Sequence, residues 1–490
     1  MLDLFFYSDL NYSLFVLLTV LLILFYEVIN GFHDTANSVS TLIYTRSISA
    51  NFSVFISGIF NFLGVLLGGL TVSYAIVHLL PDNLLLMNNA LNTLSMVFSI
   101  LLSAIIWNLS TWYFCLPASS SHSLIGGIIG VSLINSFIQG SSCIDVFNAS
   151  KMISIFLSLI LSPVIGLVIS GIFIFCLRCF FSTNTKFYRI HMTPLERKKI
   201  DGKKNPPFFI RIILILSSIG VSYAHGANDG QKGIGLIMLI LISVMPSSFL
   251  VNLNSNSNDI IYTRNAINNL EKYYLNHMIE FKKIEEKKNI IEKSFINCHH
   301  NNIIKNIKKT QLLLHNISNY HFLNKEKKIA LRHNLLCIAN TINDITKLFN
   351  LNKTDQSSLN SWRKDILITI EYAPIWVIFI IASSLSLGTM IGWRRIVITI
   401  GEKIGKKRMT YAQAMSAQIT TACSIGIASY TGIPVSTTHI LSSSVAGTML
   451  IDSDGIQLHT IRNIALAWIL TLPVSILLSG FLYWVMLCLI

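Results

Sequence analysis

The sequence predicts an all-α polytopic membrane protein. About ten transmembrane segments form two inverted-topology repeats with broken helices at the midplane, and a polar insert is helical and partly disordered. Three observations carry this reading. Only 12% of the 490 residues are charged while 52% are hydrophobic, roughly half the charge share of a soluble domain. The apolar residues fall into runs of about the ~20 residues needed to cross a ~30 Å hydrocarbon layer. Two different polar motifs recur in the same order in each half of the chain. This composition excludes an ordinary soluble enzyme and a disordered protein. It also speaks against a nucleic-acid partner, although the formal charge is +14.

In chain order the apolar runs lie at 11–30, 49–80, 92–115, 118–137, 151–180, 209–225 continuing through 231–250, 366–393, 410–431, 434–451 and 459–489. Several exceed 25 residues, so tilt or a break is expected. The first run follows Asp3 and Asp9 instead of a basic leader, and no small-residue cleavage site follows it. It reads as a retained span and not as a signal peptide. The organisation is then a first repeat over 1–180, a basic linker over 181–208, the start of a second repeat over 209–251, the insert over 252–365 and the remainder of the second repeat over 366–490. The insert holds 18 Lys/Arg and 10 Asp/Glu and is rich in Asn, Lys and Ile. Its charge reads as a solvated face, not as an RNA- or lipid-binding module. Eight cysteines are scattered without metal-ligand spacing and read as isolated thiols.

Short basic loops face the cytoplasm. The stretch 178–211 holds nine basic residues against Glu196 and Asp201, and 394–408 holds six against Glu402. Placing both inside puts the N-terminus outside and Arg46 inside. One crossing per run puts the insert outside; a chain that folds back at the motif near 226 puts it inside.

Gly31-Phe32-His33-Asp34-Thr35-Ala36-Asn37 in the first half matches Gly226-Ala227-Asn228-Asp229-Gly230-Gln231-Lys232 in the second. Downstream, Pro117-Ala118-Ser119-Ser120-Ser121-His122 matches Pro434-Val435-Ser436-Thr437-Thr438-His439, with Gly130 and Gly447 each 13 residues after the proline. Five spans per half make the second copy enter the membrane upside down, the architecture of carriers whose site lies at the repeat interface.

Pro117 and Pro434 suit the first turn of a helix. Ser119, Ser120, Ser121 and Ser436, Thr437, Thr438 then sit where free N–H groups, hydroxyls and the positive helix end favour a tetrahedral oxyanion. The plainer alternative is hydroxyls stitching helices together. Asp34 and Asp229 at membrane depth point to a coupling cation or a transferable proton. Asn37 and Asn228 suit either an anion or a cation. Gly31 and Gly226 suit close approach and an unwound backbone. Lys232 supplies positive charge beside an anion, pairs with an Asp, or snorkels; His33 passes a proton or is structural. Glu27, one turn before the first motif, is a second proton site.

With these residues quoted, the chain resembles the inorganic phosphate transporter (PiT) family. The matching stretches are YEVINGFHDTAN (26–37), WYFCLPASSSHSLIGGIIG (112–130), SYAHGANDGQKGIG (222–235), IGWRRIVITIGEKIGKK (391–407) and GIPVSTTHILSSSVAGTM (432–449). The resemblance implies proton-coupled symport of inorganic phosphate as a metal–phosphate complex across a bacterial inner membrane, arsenate as an adventitious substrate, and a homodimer. No cofactor is implied. Elsewhere in the family sodium is the coupling ion, and Asp and Asn occur in both copies of the GxNDxxN-type motif. His33 and Lys232 depart from that pattern, which leans toward protons.

Two rivals are weighed against the carrier. An anion channel would line a similar polar path, but the inverted duplication favours alternating access. An intramembrane hydrolase built on Ser-His is disfavoured, because adjacent residues in one turn point apart and triads are not kept in duplicate.

Overall fold

The computed structural model describes residues 10–79, 90–140, 149–181, 188–277, 303–315, 317–348, 351–452 and 455–489. Among them the chain is helical, apart from one isolated bridge between Gly405 and Ile456. The first half contains α1 (Leu10–Tyr44), α2 (Ala50–Leu67), α3 (Thr71–Val77), α4 (Ala90–Tyr113), α5 (Ser120–Gln139) and α6 (Ala149–Phe180). The linker adds α7 (Pro194–Asp201), opened by a Thr193/Glu196 capping box. The second half begins with α8 (Phe208–His225), runs through a π-turn at Gly226–Gly230 and continues as α9 (Gln231–Val244). After the insert come α14 (Ile375–Met390), α15 (Arg394–Ile398) with a π-turn at Thr399–Lys403, α16 (Tyr411–Thr431), α17 (Thr437–Ile451) and α18 (Leu458–Leu489).

Seven described helices are long and apolar enough to cross a membrane, and the bent pair Ile375–Met390 and Arg394–Lys403 makes up to eight. The remaining two apolar runs, 410–431 and 434–451, form α16 and α17. The first carries Gln413, Ser416, Gln418, Thr420 and Thr421, and the second has only 15 residues. Both are largely buried, so neighbouring helices, not lipid, supply their surroundings. Rows of exposed apolar side chains on α6 and α18, such as Ile160, Ile172, Leu477 and Phe481, suit contact with acyl chains, where a helix satisfies its own backbone.

The two halves interlock through matching exchanges. A Cβ on Gly130 of α5 would meet Ile476 O and Ser479 Oγ of α18, and one on Gly447 of α17 would meet Leu167 O and Ser170 Oγ of α6. Each half's Ser/Thr-led helix thus packs backbone to backbone on the other half's last helix, the close approach that small residues permit. Gly31 likewise abuts Leu385 O of α14, and Gly226 abuts Asn61 O of α2. The connectors follow suit. Trp468 of α18 donates Nε1–H to Pro117 O at 3.1 Å, and Ser158 of α6 donates its hydroxyl to Pro434 O at 3.1 Å.

Three local expectations are corrected. The backbone does not unwind at Gly31 or Gly226: α1 is helical through its motif, and Gly226 keeps φ −56 and ψ −44. The breaks fall instead at 114–119 and 432–436. Pro117 and Pro434 lie outside the first turn, two residues before the caps Ser119 and Ser436, where a hydroxyl serves as cap better than a ring. The chain also does not fold back at 226. Phe208–Val244 is one continuous span, so the insert leaves from the end opposite the basic linker.

The insert contains α10 (Ser257–Asn276), α11 (Ile303–Leu314), α12 (Lys325–Leu348) and α13 (Lys353–Leu367) around its own core of Leu270, Ile307, Leu335 and Leu359. Partial disorder is expected of the insert, and its residues 278–302 lie outside the described residues. Arg332 clamps the neck by donating from Nη1 to Leu250 O (2.9 Å) and Ile370 O (2.8 Å). Free thiols are found at Cys115, Cys176, Cys179, Cys423 and Cys488, as expected. Cys337 in the insert is disulfide-bonded, so that expectation fails there.

Candidate functional site

The residues singled out by the repeat converge on one buried cluster. The α1 motif contributes Asp34, whose neighbour His33 contacts Oδ1 through Nδ1 at 3.2 Å and Thr111 of α4 through Nε2 at 3.3 Å. The π-turn contributes Asp229. Lys232, one turn later, donates from Nζ to Asp229 Oδ1 at 2.5 Å and to Ser121 at 2.5 Å. Asp229 is 0% and Lys232 1% exposed, so Lys232 is an internal cation and does not snorkel.

The two Ser/Thr-led helices meet here. Ser119 and Ser436 are the caps: each hydroxyl accepts the N–H of the histidine three residues on, at 3.2 Å. This leaves Ser120, Ser121, Thr437 and Thr438 on the first turns, facing the charged groups. Ser120 donates to Asp34 Oδ2 at 3.5 Å, and Thr438 donates to Asp34 Oδ1 at 2.7 Å. Thr437 lies 3.3 Å from Asp34 Oδ2 and 3.4 Å from Asp229 Oδ2, bridging the two. Ser121 ties the arms together by donating to Val435 O at 2.9 Å. Asn37 donates from Nδ2 to Thr438 at 3.2 Å, while its Oδ1 is buried without a hydrogen bond. Asn228 stands further out, donating to Ile433 O at 3.4 Å. Glu27 sits two turns before Asp34, fully buried against Gly233. Asn30 lies beside it, but neither Glu27 oxygen makes a well-formed hydrogen bond.

Sequence reasoning missed His225. Its Nε2 lies 3.2 Å from Asp229 Oδ2 and 3.6 Å from Asp34 Oδ2, and its Nδ1 contacts Asn61 Oδ1 at 3.0 Å. A usable signal was present: an ionisable residue four positions before Asp229, on the same helical face of an apolar run. Asp34, His225 and Asp229 offer ligand atoms all within 4.8 Å of one another. His225 Nε2 makes no well-formed hydrogen bond, so this donor set suits a cation with mixed carboxylate and imidazole preference.

Chemically, the cluster sets neutral hydroxyl donors and helix N-termini from both halves around two carboxylates and one ammonium, deep among apolar helices. A polar site sealed between two matched halves of a membrane-spanning bundle defines a membrane transport protein. Comparison with known proteins makes this specific. Residues 30–479 match the model of the phosphate transporter family, and the chain belongs to that family, the PiT phosphate transporters. It is 67% identical over 490 residues to the "Low-affinity inorganic phosphate transporter" of Buchnera aphidicola subsp. Acyrthosiphon pisum (strain APS), covering 100% of both chains. It is 52% identical over 493 residues to the "Low-affinity inorganic phosphate transporter PitA" of Escherichia coli (strain K12), covering 99% of each. These relatives are named as transporters, a non-enzymatic role. A solved structure called "The sodium-dependent phosphate transporter" shares the fold at TM-score 0.55 and 19% identity, over 97% of this chain and 100% of that one.

Proposed function

We propose that this chain is a low-affinity inorganic phosphate transporter of the bacterial inner membrane, carrying phosphate in symport with protons by alternating access between two inverted repeats. The observation that supports it most is the meeting of Ser120, Thr437 and Thr438 at Asp34 and Asp229, with Ser121 accepting from Lys232 beside them. Hydroxyls that now donate to carboxylates are the donors a tetrahedral oxyanion would take over. Arsenate has the same shape and acceptor set and follows phosphate.

Charge decides the coupling. Two carboxylates face one ammonium, so the cluster has no surplus positive charge unless a histidine is protonated. A phosphate dianion therefore enters only with protons or a cation. His33 and His225, each beside an Asp, and Glu27 are the groups that would take protons. Asp34, His225 and Asp229 would hold a divalent metal travelling with phosphate as cargo. Lys232 occupies the place of Asn37 in the repeat, replacing a neutral cation ligand by a fixed charge, which favours protons over sodium. With the basic loops inside, the insert lies on the outer face.

Uptake of radiolabelled phosphate into proteoliposomes under separately imposed gradients tests this. Saturable accumulation with an inward proton gradient and none with sodium alone is expected. Accumulation driven by sodium alone, or a non-saturable conductive flux, overturns the coupling.

A further inference from the structure

Away from the central cluster, a polar cavity of about 610 Å³ opens on the face that carries the short basic loops. Three separate stretches wall it: the α1–α2 turn with Arg46 and Ser49, the linker and the start of α8 with Lys204 and Arg211, and the second π-turn and the stretch after it with Glu402 and Arg408. Four cations thus surround one carboxylate. Arg178, Arg189 and Arg197 on the same face have partners in Asp452 and Asp201. Among the described residues, no carboxylate lies within ion-pair distance of the four in the cavity. The crowding is felt by Lys204, whose pKa is lowered by the charge of Arg46 first and of Lys198 second.

Arg46 adds an independent sign. It holds φ +54, a left-handed conformation that glycine takes freely and other L-residues avoid. The turn is pinned by Ser47 N–H to Leu42 O at 3.0 Å and by the Thr45 and Ser47 hydroxyls at 2.8 Å. An arginine therefore stands, pre-oriented on a strained backbone, where a glycine would be more stable; such outliers gather at binding sites. Ser49, the cap position of α2, also lines the cavity and makes no side-chain capping bond.

We propose that this cavity is a second anion site, separate from the transport site, that takes a group bearing several phosphate charges. The shared chemistry is a polyphosphate-like polyanion, supplied either by a soluble molecule or by anionic phospholipid headgroups. Four cations from three chain segments suit several linked anionic groups better than one small ion. Tyr44 in its wall lies seven residues beyond Asn37 on α1 and so about 10 Å along the helix. Because its walls come from both halves and from the linker joining them, a bound polyanion ties the three together. This inference does not rest on what the central site carries.

The test uses the full chain in nanodiscs of phosphatidylcholine, titrated with tripolyphosphate while its melting temperature is followed. A saturable rise is expected. Arg46→Gly and Arg408→Gln each raise the half-saturating concentration about tenfold, the effect of losing one charge-assisted contact. Arg46→Gly relieves the strained turn, so its ligand-free melting temperature stays equal or rises, which separates lost binding from lost folding. Lys232→Gln leaves the tripolyphosphate affinity unchanged. In nanodiscs containing phosphatidylglycerol, disappearance of the response assigns the cavity to lipid headgroups, and persistence assigns it to a soluble polyanion. No response in either lipid, or equal affinity in wild type, Arg46→Gly and Arg408→Gln, overturns the proposal.

Discussion

Thr438 of the second half donates its hydroxyl to the Asp34 carboxylate of the first half at 2.7 Å, across 404 positions of sequence. This bond joins the start of α17 to the middle of α1. Anything that loads or unloads Asp34 therefore acts on the arm that holds half of the hydroxyl donors. The contact crosses from one half of the chain to the other: neither half alone assembles the cluster.

The carboxylates come first. Asp34→Asn and Asp229→Asn keep the shape of the site but remove the charge that a cation or proton must balance. Each variant is expected to reach the membrane in normal amount while phosphate accumulation falls below detection. Near-normal proton-driven uptake in both would remove these groups from the mechanism.

Lys232 has two proposed roles that can be separated. Lys232→Gln leaves the Asp229 carboxylate buried beside Thr437 and His225 without its ammonium. Removing one partner of a buried pair costs about 3–5 kcal/mol. The expected outcome is a lower melting temperature together with a raised half-saturation for phosphate. Adding Asp229→Asn restores most of the melting temperature and no transport. A snorkelling lysine would show neither effect.

The glycine contacts make a prediction about the repeat itself. A valine at Gly130 or Gly447 drives a side chain into the carbonyl of Ile476 or Leu167, respectively. Overpacking of this kind destabilises by about 1–3 kcal/mol. Melting of purified Gly130→Val and Gly447→Val should therefore drop by comparable amounts. A change felt in only one would mean the two interfaces are not equivalent.

The neck of the insert carries a pH-dependent contact. Glu371 is hydrogen-bonded to His78 at 2.9 Å. Burial alone would raise its pKa, but the bond and charge of His78, with Arg363 and Arg332, hold it below the ordinary 4.5. A depressed carboxylate contributes stability that is present above its unfolded value and is lost as pH falls below it. Between a pH of about 6 and the region below 4.5, wild type should lose more melting temperature than Glu371→Gln. Parallel curves would show that the pair contributes nothing.

Much of the candidate site is legible in the sequence because the buried cluster is made from the repeated motifs. Asp34, Asp229, Lys232, Ser120, Ser121, Thr437 and Thr438 follow from order and spacing alone, since two polar motifs rarely recur in one order within apolar runs unless the fold needs them there. Helix continuity is not legible. Glycine at 31 and 226 reads equally as a hinge or as a contact, and only the carbonyls of Leu385 and Asn61 pressed against them decide for contact. Hydropathy also does not separate helices that meet lipid from those sheltered by protein, such as the polar α16 and the short α17. His225 escaped because its counterpart in the first motif is the neutral Asn30, so the repeat carried no hint of its charge.

The most direct measurement is the half-saturation for phosphate uptake in proteoliposomes carrying Ser121→Ala, Thr437→Ala or both. A hydrogen bond to a charged group is worth about 1.5–3 kcal/mol, so each single change should raise the half-saturation roughly 10-fold or more. The double variant should fall short of the product of the two, because the hydroxyls grip one anion. A half-saturation unmoved by the change in one half, with the other half's change fully effective, would contradict a single oxyanion held between the two arms.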